Sequence, residues 1–345
     1  MEIKTLTWKE KELVLVDQTK LPVDVEYVAC KTLEDVFVAI RDMIVRGAPA
    51  IGVSAAYGVA IAAYEITTTE FDLYKTELLS QCDYLNTARP TAVNLSWAVE
   101  EMKAVINGYE GQSVAELKAL LEKRAIEIHE EDIMINKTIG KNLLSLVKED
   151  NTILTHCNAG ALATSEYGTA LSVFYVAQEE GVTLHAYADE TRPRQQGAKL
   201  TAFELYNAGV DVTLITDNMA AEVMKEGKID AVIVGCDRIA SNGDTANKIG
   251  TMSVAILAKH FNIPVYIAAP TPTIDMAIES GKDIPIEERD GEEITIINGE
   301  YVTAKGVKTY NPSFDVTPAE LITAIVTEKG IVRAPFKEGL QAIFK

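Results

Sequence analysis

The sequence predicts an α/β protein: a Rossmann-like parallel sheet domain, preceded by a mainly helical domain that carries a small antiparallel sheet. Three observations lead there. From residue 153 onward, short β-branched runs alternate with helical patterns, which is how a parallel sheet with right-handed crossovers reads. Before that, long stretches of helical period dominate. At 345 residues the chain also exceeds the size at which a single core keeps growing, so two domains are expected, 1–145 and 146–345.

Taken in order, the runs WKEKELVLVDQ and VDVEYVAC read as short strands, too apolar to face water on both sides. From Thr32 the period changes: Leu33, Val36, Phe37, Ile40 and Ile44 recur at helical spacing, and Thr32 with Asp35 supplies a cap and an acidic first turn. This helix is expected to reach RGAPAIG, residues 46–52. There Gly47 can take a positive φ or admit a ligand to the backbone, and Pro49 suits a first helical turn. Free amides beside Arg46 make an anion site, or else this is a plain helix–helix turn with an exposed arginine. The stretch Ala48–Tyr64 approaches membrane-span length, but its Gly and Ala content, Ser54 and the flanking Arg46 mark a buried helix of a soluble protein. A second arginine loop, Arg89–Pro90–Thr91, precedes a helix with Val93, Leu95 and Trp97. A long helical pattern then runs from Ser113 to Val147.

In the second half the expected strands are 153–157, 184–188, 212–215, 231–235 and 265–269, with helical patterns at 164–180, 198–208, 219–226 and 251–261. The loops after the strands carry unusual chemistry: HCNAGALAT, DETRPRQQG, TDNMAA, CDRIASNGDTANKIGT and APTPTID. The loops before them are ordinary solvated turns. In open α/β sheets ligands bind outside the carboxyl ends of the strands, so this asymmetry puts the site there. The segment Ala231–Thr251 reads as strand, functional loop and helix, with Asp237, Asn247 and Lys248 where a ligand is expected.

Two residues at that edge have alternative readings. Cys157 is a small hydrophobe closing a strand, or a thiol facing a helix that starts near Thr164, whose N-terminus would lower its pKa toward a base or nucleophile. Asp237 is a cap or a partner of Arg238, or a carboxyl group shielded from water that serves as proton donor. His156 and Cys236 alternate away from these and read as structural. No G-x-G-x-x-G follows the first strand and no Walker-type loop is present, so neither a dinucleotide nor ATP is expected. No H-x-x-x-H, C-x-x-C or dense carboxylate cluster suggests a metal.

The formal charge of −19 opposes nucleic-acid binding, since no basic stripe occurs. An anionic ligand would therefore need a few local arginines and lysines acting against the global field. Cys30, Cys82, Cys157 and Cys236 are widely separated, which suits a reducing cytoplasm better than a disulfide framework. The N-terminus lacks a signal-peptide core.

Seven stretches, RGAPAIG, RPTAVNLSWA, THCNAG, ETRPRQQGAKLTAFEL, ITDNMAA, GCDRIASNGDTANKIGT and NPSFDVTPAELITAIVTEKGI, together resemble the methylthioribose-1-phosphate isomerase family over nearly the whole chain. The resemblance implies a homodimeric aldose–ketose isomerase of methionine salvage, acting on a small sugar 1-phosphate without cofactor, metal, nucleic acid or membrane. By position it implies Cys157 and Asp237 as the catalytic pair. Arg46, Gly47, Ala48, Arg89, Gln196, Asn247 and Lys248 become the substrate-binding residues. Cys236 and Asp189 depart from the methylthio pattern, which leaves 5-deoxyribose 1-phosphate and ribose 1,5-bisphosphate open as substrates. The same fold also serves regulatory subunits of the translation-initiation exchange factor, which bind and do not catalyse.

Overall fold

The computed structural model, which describes residues 3–90 and 92–344, divides into two units: Met1–Ile135 with Ala161–Gly168, and Asn136–Gly160 with Thr169–Lys345. Thr91, in the second arginine loop, lies outside the described residues.

In the first unit, β1 (Leu6–Lys9), β2 (Glu12–Val16) and β3 (Tyr27–Cys30) form an antiparallel sheet in chain order. Leu13 and Leu15 on β2 are fully buried. Thr32 caps α1 (Leu33–Arg41) in a reciprocal capping box with Asp35, as the sequence predicts. The helix stops at Arg41, short of RGAPAIG, because Met43 takes a φ of 62°, off the helical path. Gly47, at a φ of 90°, then starts α2 (Ala48–Glu65), with Pro49 in its first turn.

This helix is buried on every face from Ala50 to Ala63. Its small residues allow that. A Cβ on Gly52 would lie 3.1 Å from the Asn94 carbonyl oxygen, and one on Gly58 would lie 3.0 Å from Val36 and 3.1 Å from Leu85. The neighbours that crowd it are α1, α3 (Phe71–Asn86) and α4 (Val93–Gly108). No helix among the described residues is long and apolar enough to cross a membrane. The 31-residue α5 (Val114–Leu144) begins in this unit and its last turns belong to the second.

The second unit is built on β4 (Thr152–Thr155), α6 (Ser172–Glu180), β5 (His185–Asp189), α7 (Ala202–Asn207), β6 (Asp211–Ile215), α8 (Ala220–Lys225) and β7 (Ala231–Val234). After β8 (Arg238–Ala240) and β9 (Thr245–Lys248) come α9 (Thr251–His260), β10 (Val265–Ala268), β11 (Ile274–Asp275), α10 (Glu292–Thr295), β12 (Ile296–Ile297) and β13 (Glu300–Tyr301). The chain closes with β14 (Phe314–Thr317), β15 (Ala324–Thr327), β16 (Gly330–Val332) and α11 (Phe336–Ile343).

The main sheet has the order β16-β15-β10-β7-β4-β5-β6, parallel except for the β15–β16 pair. Its central strands β7 and β10 are buried at every residue, and each fully buried Val or Ile there contributes roughly 1.5–3 kcal/mol. The chain runs from β4 outward through β5 and β6, then returns to place β7 on the other side of β4. The point where the strand order reverses, and where ligands bind in such sheets, therefore lies between β4 and β7.

Two parts of this unit differ from the expectation. The polar loop after β7 folds as the β8–β9 hairpin of a second sheet, in the order β11-β8-β9-β14. The helix expected from residue 164 forms only from Ser172. Before it the Thr164 hydroxyl bonds the Glu166 carbonyl and accepts the Gly168 amide, local bonds that hold a turn in place of a helix.

Candidate active site

The chain leaves β4 and turns at Cys157, whose φ of 66° is a left-handed conformation costing a residue with a Cβ of order 1–3 kcal/mol. Hydrogen bonds on both sides hold it there. The Cys157 amide donates to Thr191 Oγ1 at 2.8 Å, and the Thr201 hydroxyl donates to the Cys157 carbonyl at 2.6 Å. Thr191 is itself fixed: its hydroxyl donates to the Asp189 carbonyl at 3.0 Å, and Asp217 accepts the Thr191 and Arg192 amides at 2.7 Å each. The Cys157 thiol is half-buried. The helix N-terminus expected beside it is not there, because α6 begins at Ser172.

Thr201 closes a π-helical turn, Gly197–Thr201, that leads into α7; such turns recur at functional sites. Gly197 is required, since a Cβ there would fall 1.7 Å from the Asp189 carbonyl oxygen. The turn places Gln196 with its carboxamide oxygen buried and without a partner among the described residues. An unpaired buried acceptor is costly, and a ligand hydroxyl would satisfy it.

On β9, the Asn247 carboxamide donates to Thr251 Oγ1 at 3.0 Å, and Thr251 donates to the Lys248 carbonyl at 2.7 Å. Lys248 is only 8% exposed, stands 4.5 Å over the Phe314 ring and makes no ion pair among the described residues. A buried ammonium without a carboxylate is suited to an incoming anion.

Asp237 follows β7, the strand next to β4. Its amide donates to the Ala246 carbonyl at 2.9 Å, which sets it beside the Asn247–Lys248 strand. A Cβ on Gly235 would lie 2.5 Å from that of Ala159, so the loops after β4 and β7 touch. Asp237 is exposed, which departs from the shielded-carboxyl alternative: the residue before it, Cys236, packs on the core, and Asp237 alternates away from it. Burial pushes the Cys236 thiol well above its ordinary range. Arg238 pairs with Asp275 at 3.1 Å.

His156 is buried as expected, with Nδ1 2.9 Å from Asp189 and Nε2 2.9 Å from the Ile249 carbonyl. His156, Asp189 and Asp217 form a cluster of metal-ligand type. Both ring nitrogens and both Asp217 oxygens are engaged in hydrogen bonds, whereas Asp189 Oδ1 has no partner among the described residues. Thr191, Thr201 and Asp217 are supporting residues that sequence reasoning missed; the DETRP and TDNMAA stretches carried the available signal for Thr191 and Asp217.

In the first unit, Arg46 donates through Nε to Gln18 at 3.1 Å, and Gln18 donates to the Leu162 carbonyl at 2.7 Å. Gly47 has its own reason to lack a side chain: a Cβ would lie 2.4 Å from Ala163 Cα. Ala48 opens α2, and Arg89, half-buried, precedes α4. Because Gly52 packs on Asn94, the N-terminal turns of α2 and α4 lie side by side, which brings the two arginine loops to the same end of the helix pair.

The family model described as the Initiation factor 2 subunit family matches residues 44–334. The chain belongs to that family. The protein named 5-deoxyribose 1-phosphate isomerase of Clostridium botulinum (strain Kyoto / Type A2) is 59% identical over 100% of this chain and 99% of its own length. The crystal structure of 5-methylthioribose 1-phosphate isomerase from Pyrococcus horikoshii OT3 superposes with a TM-score of 0.96 at 41% identity, covering 100% of this chain and 96% of that one. A crystal structure named translation initiation factor eIF-2B, subunit delta, from A. fulgidus superposes with a TM-score of 0.93 at 42% identity, over 99% of both chains. This family member thus has the helical N-terminal part, small antiparallel sheet and large, mostly parallel sheet that its sequence predicts.

Proposed function

We propose that this member of the family isomerises 5-deoxyribose 1-phosphate to 5-deoxyribulose 1-phosphate. The observation that carries the reading is the 59% identity, over the full chain, to a protein named for that activity. The sequence alone ranked 5-methylthioribose 1-phosphate first; its support is the 41% identical Pyrococcus structure, and the higher identity moves the methylthio sugar, and methionine salvage with it, to second place.

The chemistry is common to either sugar. Phosphate on the anomeric oxygen prevents opening to a free aldehyde. Asp237 in its acid form protonates the ring oxygen, and the C1–O bond to the ring breaks. Cys157 as thiolate takes the C2 proton to give an enol phosphate; the Cys157 thiol then returns a proton to C1 while the 2-hydroxyl proton is lost and the Asp237 carboxylate regains one, which gives the ketose and restores both groups. Because Asp237 is exposed in this chain, the bound sugar must supply the shielding that a proton donor needs. Lys248, Arg46 and Arg89 bind the phosphate, while Gln196 and Asn247 bind sugar hydroxyls. Gly47 and Ala48 offer backbone amides at the start of α2. The same reading makes the protein a cytoplasmic homodimer, which sedimentation at twice the chain mass would support.

The test is kcat/KM for 5-deoxyribose 1-phosphate, 5-methylthioribose 1-phosphate and ribose 1,5-bisphosphate. The first should lead by at least about tenfold, the scale on which one pocket discriminates a missing or added small group. A lead for either other sugar reassigns the substrate. No turnover of any would favour a non-catalytic protein, in line with the A. fulgidus structure, which is named a translation initiation factor subunit.

A further inference from the structure

We propose that His156 is a positioning residue of this site, whose ring ties the turn carrying Cys157 to the segment carrying Asn247 and Lys248. The proposal rests on the isomerase reading and deepens it. Nε2 faces the Ile249 carbonyl oxygen at 2.9 Å, and a carbonyl only accepts, so Nε2 carries a hydrogen. Nδ1 lies 2.9 Å from Asp189 Oδ2, and the second proton sits in that contact. The other Asp189 oxygen has no partner among the described residues, so the carboxylate serves the ring alone.

The fit at Ile249 is close. Gly250 has a φ of 105°, and a Cβ there would fall 2.8 Å from the ring's Cε1 and Nε2, so the backbone seats directly on the imidazole. Asp315 accepts the Gly250 amide at 2.8 Å and the Met252 amide at 3.0 Å. The segment after Lys248 is therefore held by both His156 and Asp315. On the Cys157 side, the Asp189 that holds the ring also accepts, through its carbonyl, the Thr191 hydroxyl bonded to the Cys157 amide. One buried ring thus spans three strand ends.

The tie depends on the shared proton. The charged groups facing the ring are the carboxylates of Asp189, Asp217 and Asp315. Burial opposes the charged ring, but the Asp189 bond and charge, with the Ile249 carbonyl, hold His156 above its ordinary range. Below that raised pKa both ring nitrogens donate. As pH rises through it one hydrogen is lost, the Asp189 carboxylate keeps the remaining one on Nδ1, and the Nε2 lone pair faces the Ile249 oxygen. The tie then opens. In Asp189→Asn the carboxamide can donate to Nδ1, which leaves the hydrogen on Nε2 at any pH.

The experiment compares wild type, His156→Gln and Asp189→Asn by three readouts: amide hydrogen exchange of the 245–252 peptide, affinity for inorganic phosphate between pH 6 and 9, and the KM and kcat of isomerisation. A glutamine reaches one acceptor and not both. His156→Gln should exchange that peptide at least tenfold faster and lose at least tenfold in phosphate affinity and KM. The losses in Asp189→Asn should be at least tenfold smaller, and its phosphate affinity should lack the alkaline fall, relative to wild type, that opening of the tie produces. If His156→Gln does not fold, the double variant H156Q/D189N, which strands no buried carboxylate, replaces it. Unchanged exchange would overturn the proposal, as would faster exchange with unchanged phosphate affinity and KM. If wild type turned over none of the three sugar phosphates while the exchange and phosphate contrasts persisted, the isomerase reading would fail and the tie would stand.

Discussion

Lys248→Met tests the anion site with the least disturbance to the fold. The ammonium group is 8% exposed and makes no ion pair among the described residues, so its removal strands no carboxylate. What the folded state loses is the contact over the Phe314 ring, about 0.5–2 kcal/mol, and the methionine keeps most of the apolar packing of the lysine stem. Relief from burying a charge works in the other direction. The net change in stability should be about 1 kcal/mol or less, or about 4 °C or less in Tm. Binding should respond far more. A hydrogen bond from the ammonium to phosphate is worth roughly 1.5–3 kcal/mol, which is about 10- to 150-fold in Kd. Titration calorimetry with inorganic phosphate at low and high salt reads this directly, with a thermal melt as the control. Salt should weaken wild-type binding more than that of the variant. Phosphate affinity within about threefold of wild type would refute the assignment of Lys248 as an anion ligand.

On the proposed mechanism, in which both act on the reacting atoms, Cys157→Ala and Asp237→Asn should each lower kcat by at least about a thousandfold with little change in substrate affinity; activity within about tenfold of wild type removes that residue from the chemistry. If Cys157 carries the C2 proton, turnover in D2O should place deuterium at C1 of the ketose. Full hydrogen retention, together with normal activity in Cys157→Ser, would instead establish a hydride shift. Gly47→Ala should destabilise the first unit by at least about 1–3 kcal/mol, since it combines a φ of 90° with a Cβ 2.4 Å from Ala163; a chemical melt equal to wild type would show that the backbone there adapts. His129, half-buried and bonded to the Tyr57 hydroxyl, has its pKa lowered by burial to about 4. The unfolded chain therefore binds the extra proton first, and stability should fall by about 2–3 kcal/mol as pH drops from about 6.5 to 4. His129→Gln should remove that part of the acid sensitivity, and an unchanged pH dependence of denaturant midpoints would refute it.

What the sequence determined by itself was local. Alternation of β-branched runs with helical periods marked β4, β5, β6, β7 and β10, and Thr32 with Asp35 marked the start of α1, because these signals lie within one element. The contrast between polar loops after the strands and plain turns before them pointed to the carboxyl edge of the sheet, with Cys157, Asp237, Asn247 and Lys248 in the loops there, and Gln196 came from the family resemblance. It could not give the reason Cys157 is held. The helix N-terminus expected beside the thiol is absent, and the hydrogen bonds that replace it come from Thr191 and Thr201, 34 and 44 residues away. His156 finds its partners 33 and 93 residues on, after the chain has laid down β5 and the β8–β9 hairpin. The hairpin itself was read as loop, since its residues are polar and its partners β11 and β14 are distant in sequence. The exposure of Asp237 was likewise invisible, because alternation fixes which way a side chain leaves a strand but not what covers it. Strand order decided the rest: only the return of the chain to the far side of β4 brings the loops that carry Cys157 and Asp237 together, and that choice is made by packing between distant segments, where a linear pattern carries no signal.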